Sequence, residues 1–303
     1  MTDRVPGSSR SSVAPLAWPR PAARVSDFVA LAKPRLNLLI VATTGAGYLL
    51  GASRVDPAVL FHAVVGTALV SGGAGAFNEI IERDTDALMR RTRTRPLPMQ
   101  RLEPAPATWF AFTLSILGLL QLGAGAGPLA AAVAFVTLVS YVLVYTPMKR
   151  RSPMATLVGG VPGALPPVIG WAAATGGLAA GAWVLFAIVF LWQMPHFLAI
   201  AWLCREDYAR AGLRMLPVVE PDGRSTAQQT LLYAAVLVPV SLLPTAVGLA
   251  GRVYSAGAAV LGVAFLALAL RFALRRDRTS ALRLFLGSII YLPLLWGLML
   301  GNQ

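Results

Sequence analysis

The chain has 303 residues, 56% of them apolar and 13% charged, with a mean hydropathy of +0.66 and a formal net charge of +13. A soluble domain carries about twice that charged fraction. One Cys excludes a disulfide framework or a Cys-x-x-Cys metal site, and two His leave little for a histidine-built centre. Long apolar runs between short polar loops instead predict an all-α, polytopic membrane protein.

Residues 1–25 are rich in Ser, Pro, Ala and Arg and contain no apolar core before a cleavage site. They are expected to form a disordered cytoplasmic tail rather than a signal peptide, with 26–303 as one membrane domain. Nine spans are predicted, over 36–53, 57–81, 107–124, 127–146, 155–175, 181–204, 228–250, 253–274 and 281–301. Each is long enough to cross about 30 Å of hydrocarbon. The fifth, with Gly159, Gly160, Pro162, Gly163, Pro166 and Pro167, is expected to kink or break. With the N-terminus inside, every one of the 26 Lys and Arg except Arg54 and Arg252 falls on the inner side, predicting N-in and C-out. The net charge therefore calls for no nucleic-acid partner.

The 13 carboxylates are concentrated near the same surface. Asn78, Glu82 and Asp86 are spaced i, i+4, i+8 and line one helix face over about 12 Å. Glu79 lies close to that face, and Asp84 points away unless the helix end unwinds. Like charges stacked this way repel, but oxygen donors suit Mg²⁺, which commonly bridges one or two carboxylates to substrate phosphates. Arg90, Arg91, Arg93 and Arg95 follow directly, and arginine is the side chain best matched to phosphate. The pattern points to a metal–diphosphate site; the plain alternative is a solvated charged loop.

Lys149, Arg150 and Arg151 follow the fourth span. Around the sixth stand Gln193, His196, Glu206 and Asp207. His196 and Asp207 share a face if that helix continues to 207, and a histidine inside a span is a functional candidate, the plain alternative being a neutral histidine hydrogen-bonded between helices. His62, about 24 Å along its helix from Asn78, reads as structural. The acidic ends of spans two and six, four spans apart, hint at a duplicated four-helix unit.

Together these residues resemble the UbiA superfamily of intramembrane prenyltransferases over about residues 27–300. The resemblance is carried by Leu31-Ala32-Lys33-Pro34-Arg35, by Asn78 through Pro98 with Arg93-Thr94-Arg95-Pro96-Leu97, and by Tyr145-Thr146 through Trp171. It continues in Trp192-Gln193-Met194-Pro195-His196-Phe197 and Asp207-Tyr208-x-x-Ala211-Gly212-x-x-Met215-Leu216-Pro217. The last two signatures, with Arg-Thr-x-x-Arg-Pro-Leu in residues 91–97, resemble the haem-modifying branch. That resemblance implies nine helices around a central cavity, in the cytoplasmic (inner) membrane, with both acidic motifs at its cytoplasmic mouth. It further implies farnesyl diphosphate and haem B as substrates, haem O and diphosphate as products, and Mg²⁺ as cofactor. Haem A synthase and terminal-oxidase assembly become expected partners.

On this resemblance Asn78, Glu82, Asp84, Asp86 and Asp207 are expected around the metal. Arg90, Arg93, Arg95, Lys149 and Arg150 are expected on the diphosphate. His196 and Gln193 are expected beside haem or the attacking water, Tyr208 among the substrate-binding residues, and Lys33 and Arg35 near haem propionates. Two departures stand out: Glu82 occupies a position where the superfamily often has Asp, and Asp207 is accompanied only by Glu206. The alternatives are prenylation of a quinone precursor or other aromatic acceptor, a secondary transporter and an oxidase assembly factor. Acids gathered at one surface, with no matching polar gate opposite, argue against transport.

Overall fold

Proline and aspartate punctuate the chain into helices. In the computed structural model, which describes residues 23–302, Pro34, Pro57, Pro104, Pro128 and Pro166 each sit in a first helical turn, where the missing N–H costs nothing. Asp56 also caps the start at Pro57, accepting from Ala58 N–H at 2.9 Å, and Asp277 caps one further start, accepting from Ser280 N–H at 2.7 Å. The tail expected over 1–25 lies, up to residue 22, outside the described residues.

The elements are α1 (Val25–Leu31), α2 (Pro34–Gly51), α3 (Pro57–Leu88), α4 (Pro104–Gly125), α5 (Pro128–Val139), a π-helical turn (Ser140–Tyr145) and α6 (Thr146–Met148). There follow α7 (Ala155–Ala164), α8 (Pro166–Thr175), α9 (Ala180–Leu203), α10 (Arg205–Arg210), α11 (Leu216–Val219), α12 (Arg224–Val240), α13 (Leu243–Ala246), α14 (Arg252–Arg275) and α15 (Arg278–Leu300). No strand occurs among the described residues. The protein is thus an all-α, multi-pass membrane protein.

Eight helical runs, not nine, are long and apolar enough to cross a membrane among the described residues. The run outside that set is α2, where Arg35, Asn37, Thr43 and Thr44 dilute the hydropathy. The break expected in the fifth span falls at Leu165, between α7 and α8. The sixth ends within one residue of the expected 204: α9 stops at Leu203, Cys204 leaves helical geometry (φ −105°, ψ 12°), and α10 starts afresh. His196 and Asp207 therefore stand on separate helices.

With little hydrophobic drive between helices in lipid, close backbone approach supplies the packing. A Cβ on Gly118 of α4 would stand 2.7 Å from the Gly66 carbonyl oxygen of α3, and one on Gly170 of α8 would fall onto the Thr44 carbonyl of α2. The central α9 packs on α7, α12 and α15 and is buried along most of its length.

Contacts across the connections define the two ends of the bundle. Lys33 before α2 meets the end of α3, Arg214 N–H donates to the Lys149 carbonyl at 2.9 Å, and Arg276 after α14 reaches the Asp222 carbonyl before α12. At the opposite end Asn302 after α15 accepts from Tyr254 N–H at 2.9 Å, where α14 begins.

Candidate active site

The long α3 runs without interruption to Leu88, so Asn78, Glu82 and Asp86 stay on one face and line a cavity of about 560 Å³ at the charged end of the bundle. Each is held by a cationic partner from another segment. Lys33 Nζ donates to Asn78 Oδ1 at 2.9 Å and lies 3.7 Å from Glu79. Lys149 Nζ pairs with Glu82 at 2.9 Å, and Arg95 Nη1 with Asp86 at 2.6 Å. Arg95 also reaches Glu79 at 3.5 Å, while Asn78 Nδ2 donates to Thr146 Oγ1 at 3.3 Å. The loop bringing Arg95 back is fixed by Thr92 Oγ1 donating to the Asp86 carbonyl at 2.9 Å.

Lys33 adopts a left-handed conformation (φ 50°, ψ 59°) immediately before Pro34, an uncommon backbone for a non-glycine residue. Its position is set from both sides. Arg101 ties α1 to the loop after α3 through Asp27 at 3.0 Å, and Asn78 and Glu79 take the ammonium. Burial pushes the Lys33 pKa down to about 8, only partly countered by the Glu79 carboxylate. Lys149 experiences the same desolvation, but Glu82 in direct contact wins and holds its ammonium above the ordinary lysine range. Its Nζ also stands 4.6 Å from the centroid of the Tyr145 ring.

Beneath the charged cavity lies an apolar chamber of about 260 Å³, walled by α2, α3, α5, the π-helical turn, α7, α8 and α9. Thr67, Val70, Leu138, Gly159, Pro162, Ile169 and Trp192 are among its lining. Lys33, Leu36, Tyr141, Tyr145 and Phe197 line both spaces, forming a seam between charged mouth and apolar interior. Leu36 and Leu39 on the chamber wall are exposed, so it opens on the flank of α2. The π-helical turn carries Tyr141 and Tyr145 to the seam with ring centroids 5.3 Å apart; such turns recur at functional sites. Gln193 Nε2 donates to the Gly160 carbonyl at 2.6 Å, bracing the chamber wall ahead of the break at Leu165.

The structure thus brings Asn78, Glu82, Asp86, Lys33, Arg35, Arg95, Lys149 and Tyr208 together around the charged cavity, and Gln193 and His196 onto the chamber wall. Other expected residues stand elsewhere. Asp84, with 79% of its side chain exposed, pairs with Arg83 on the outer face of α3, because the helix stays regular there. Asp207 is held by the Arg210 guanidinium and accepts from Arg90 N–H at 3.4 Å. The Arg90 and Arg93 side chains are exposed and outside the lining, and Arg150 reaches Thr85 Oγ1 at 3.3 Å from an exposed position.

Three contributors lay outside the expected set. Arg91 lines the cavity and stacks over Tyr208 at 5.5 Å; Tyr141 and Tyr145 form the seam. The spacing Tyr141, Tyr145, Lys149 leading into a basic loop was the available signal.

The donor set can be tested against Mg²⁺ from its chemistry. Among the described residues no three His, Cys, Asp or Glu side chains cluster tightly enough to hold a metal alone. Two carboxylates and an amide oxygen on one cavity wall, with cations ready to receive phosphate oxygens, fit an ion that takes part of its coordination from a substrate diphosphate.

The profile of the UbiA prenyltransferase family matches residues 39–296. A protoheme IX farnesyltransferase of Solibacter usitatus (strain Ellin6076) is 48% identical over 287 residues, covering 91% of this chain and 98% of the relative. Another, of Koribacter versatilis (strain Ellin345), is 46% identical over 302 residues, covering 95% and 97%. Among solved structures, a digeranylgeranylglyceryl phosphate synthase superposes with TM-score 0.78 at 16% identity, covering 92% of this chain and 98% of that one. A UbiA homologue from Archaeoglobus fulgidus bound to GPP and Mg²⁺ gives 0.66 at 15% identity, covering 90% and 99%.

Proposed function

The chain belongs to the UbiA prenyltransferase family, and we propose that it transfers the farnesyl group of farnesyl diphosphate to a vinyl group of haem B, consuming water and giving haem O and diphosphate. The observation that carries this reading is the seam: a charged cavity suited to diphosphate opens directly onto an apolar chamber suited to a prenyl chain. The names of relatives at 46–48% identity support the acceptor.

Asn78, Glu82 and Asp86 would hold Mg²⁺ against the diphosphate; Asp84 and Asp207 stand outside that set. When bound there, the ion supplies positive charge beside the departing group. Lys149, Arg95 and Lys33, relieved of their present partners, turn onto the phosphate oxygens, with Arg91 beside them. Once turned, these cations meet the charge growing on the leaving diphosphate and stabilise the transition state electrostatically. The ring faces of Tyr141 and Tyr145 flank the position of the allylic cation, and Tyr145 already accepts an ammonium on its face. The apolar chamber keeps bulk water from quenching that cation. The vinyl carbon bonds to C1 of the farnesyl chain, water adds to the resulting porphyrin-side cation, and its proton leaves to solvent.

The reading also places α2 across the bilayer as a ninth span, with the charged end on the cytoplasmic face of the inner membrane, as the distribution of basic residues favours. The test is purified protein with haem B, farnesyl diphosphate and Mg²⁺, read by mass spectrometry. Haem O that forms with metal and disappears with chelator is the expected result. Prenylation of a phenolic acceptor with no haem product would overturn the acceptor.

A further inference from the structure

His196 is locked by its neighbours in one orientation. Its Nδ1 lies 2.7 Å from Ser288 Oγ of α15, its ring stacks on Trp192 with centroids 5.2 Å apart, and Trp192 Nε1 donates to the Ser288 carbonyl at 2.8 Å. Phe285 closes the other side, centroid to centroid at 5.1 Å.

The proton count at Ser288 fixes the tautomer. Ser288 has a single hydroxyl proton, and its Oγ lies 2.6 Å from the Phe285 carbonyl oxygen, which can only accept. The hydroxyl therefore donates to Phe285, and its lone pair must receive a proton from His196 Nδ1. In the neutral ring Nε2 then carries the free lone pair. Nε2 takes no hydrogen-bond partner among the described residues, is not sealed in protein, and belongs to a ring that lines the apolar chamber. One ring nitrogen anchored as a donor, with the other left open, is how metal-ligating histidines are oriented.

We propose that His196 Nε2 is the axial ligand to the iron of the haem acceptor, holding the macrocycle so that one edge reaches the seam. This rests on the acceptor reading above. A role as proton acceptor fits less well, because an imidazolium would share the lining of an apolar chamber with the Lys33 ammonium, with no carboxylate in that lining to balance it. An iron ligand needs only the neutral lone pair. His196 precedes Ile200 by one helical turn, about 6 Å, and Ile200 and Phe197 already border the charged cavity. A ring ligated at His196 thus spans from the chamber to the seam.

The chain contains only two histidines, and His62 is packed against Gly125 with its Nδ1 buried. The wild-type protein, purified without a histidine tag and labelled with ¹⁵N at histidine alone, therefore reports the ligand directly in pulsed EPR of its ferric haem B complex. The expected result is imidazole ¹⁵N coupling to iron in wild type and in His62→Gln. His196→Gln, which keeps a donor for Ser288, should lose the coupling and bind haem at least tenfold more weakly. Bound haem without histidine coupling in the wild type would overturn the ligand while leaving the acceptor intact. So would coupling that survives in His196→Gln. Failure of the wild type to bind haem, with prenylation of another acceptor, would overturn the underlying reading and the ligand with it.

Discussion

Replacing Lys149 with Met separates the electrostatic role of this residue from its packing. The ammonium lies 2.9 Å from Glu82, and the two side chains are only 14% and 9% exposed. At that distance two unit charges attract by about 6 kcal/mol at an effective dielectric of about 20. Desolvation cancels much of that attraction, and removing one partner of a buried pair costs roughly 3–5 kcal/mol because the other is left uncompensated. Glu82 keeps some access to the cavity, so about 3 kcal/mol is expected. The assay is thermal unfolding in detergent, with and without Mg²⁺. The variant should melt several degrees lower, and Mg²⁺ should raise its midpoint more than that of the wild type, in which the ion must first displace Lys149. Turnover should fall by about 10²-fold as one donor to the leaving diphosphate is lost. An unchanged midpoint together with an identical Mg²⁺ shift would refute the pairing of Glu82 with metal and lysine in turn.

Asp86→Asn should lower turnover by at least about 10²-fold in folded protein, whereas Asp84→Asn should change it less than about twofold, since Asp84 stands outside the cavity; haem O yield by mass spectrometry separates the two. With the Lys33 pKa at about 8, affinity for farnesyl diphosphate measured without metal should weaken as pH rises through that value, and Lys33→Arg should flatten the dependence. Folding stability should move the other way: above about 8 the unfolded chain binds the proton that folded Lys33 has released, so stability rises with pH toward the ordinary lysine value. Gly170→Val should drive α2 from α8 at the Thr44 carbonyl, costing about 1–3 kcal/mol or more in stability and disturbing the chamber wall, as thermal unfolding would register.

Features that depend on one helix were legible in the residues alone. The spacing of Asn78, Glu82 and Asp86 predicts a shared face, and α3 keeps it because nothing between Pro57 and Leu88 interrupts the helix. The Gly and Pro of the fifth span foretold the break at Leu165. Features that depend on where a helix ends were not legible. His196 and Asp207 share a face only if the helix continues to 207, and nothing in the residue pattern marks the loss of helical geometry at Cys204 that puts Asp207 on the separate α10. The π-helical turn at 140–145 has no marker in composition, so the i, i+4, i+8 spacing of Tyr141, Tyr145 and Lys149 hints at a shared face without revealing the turn that brings the two rings to the seam. The partners of Glu79, Glu82 and Asp86 come from segments 9 to 67 residues away in sequence, as with Arg95 to Asp86 and Lys149 to Glu82, and periodicity carries no information about such pairings.

The seam has a consequence for the order of events. Charged mouth and apolar chamber meet along Lys33, Leu36, Tyr141, Tyr145 and Phe197, and the chamber opens toward the flank of α2. A long isoprenoid and a wide macrocycle that share this passage cannot exchange past one another. Steady-state kinetics should then be sequential rather than ping-pong, with the bulky, newly lipophilic product obstructing the next arrival until it departs. Turnover would be paced by that departure, and the composition of the surrounding lipid or detergent would tune the rate without touching the chemistry.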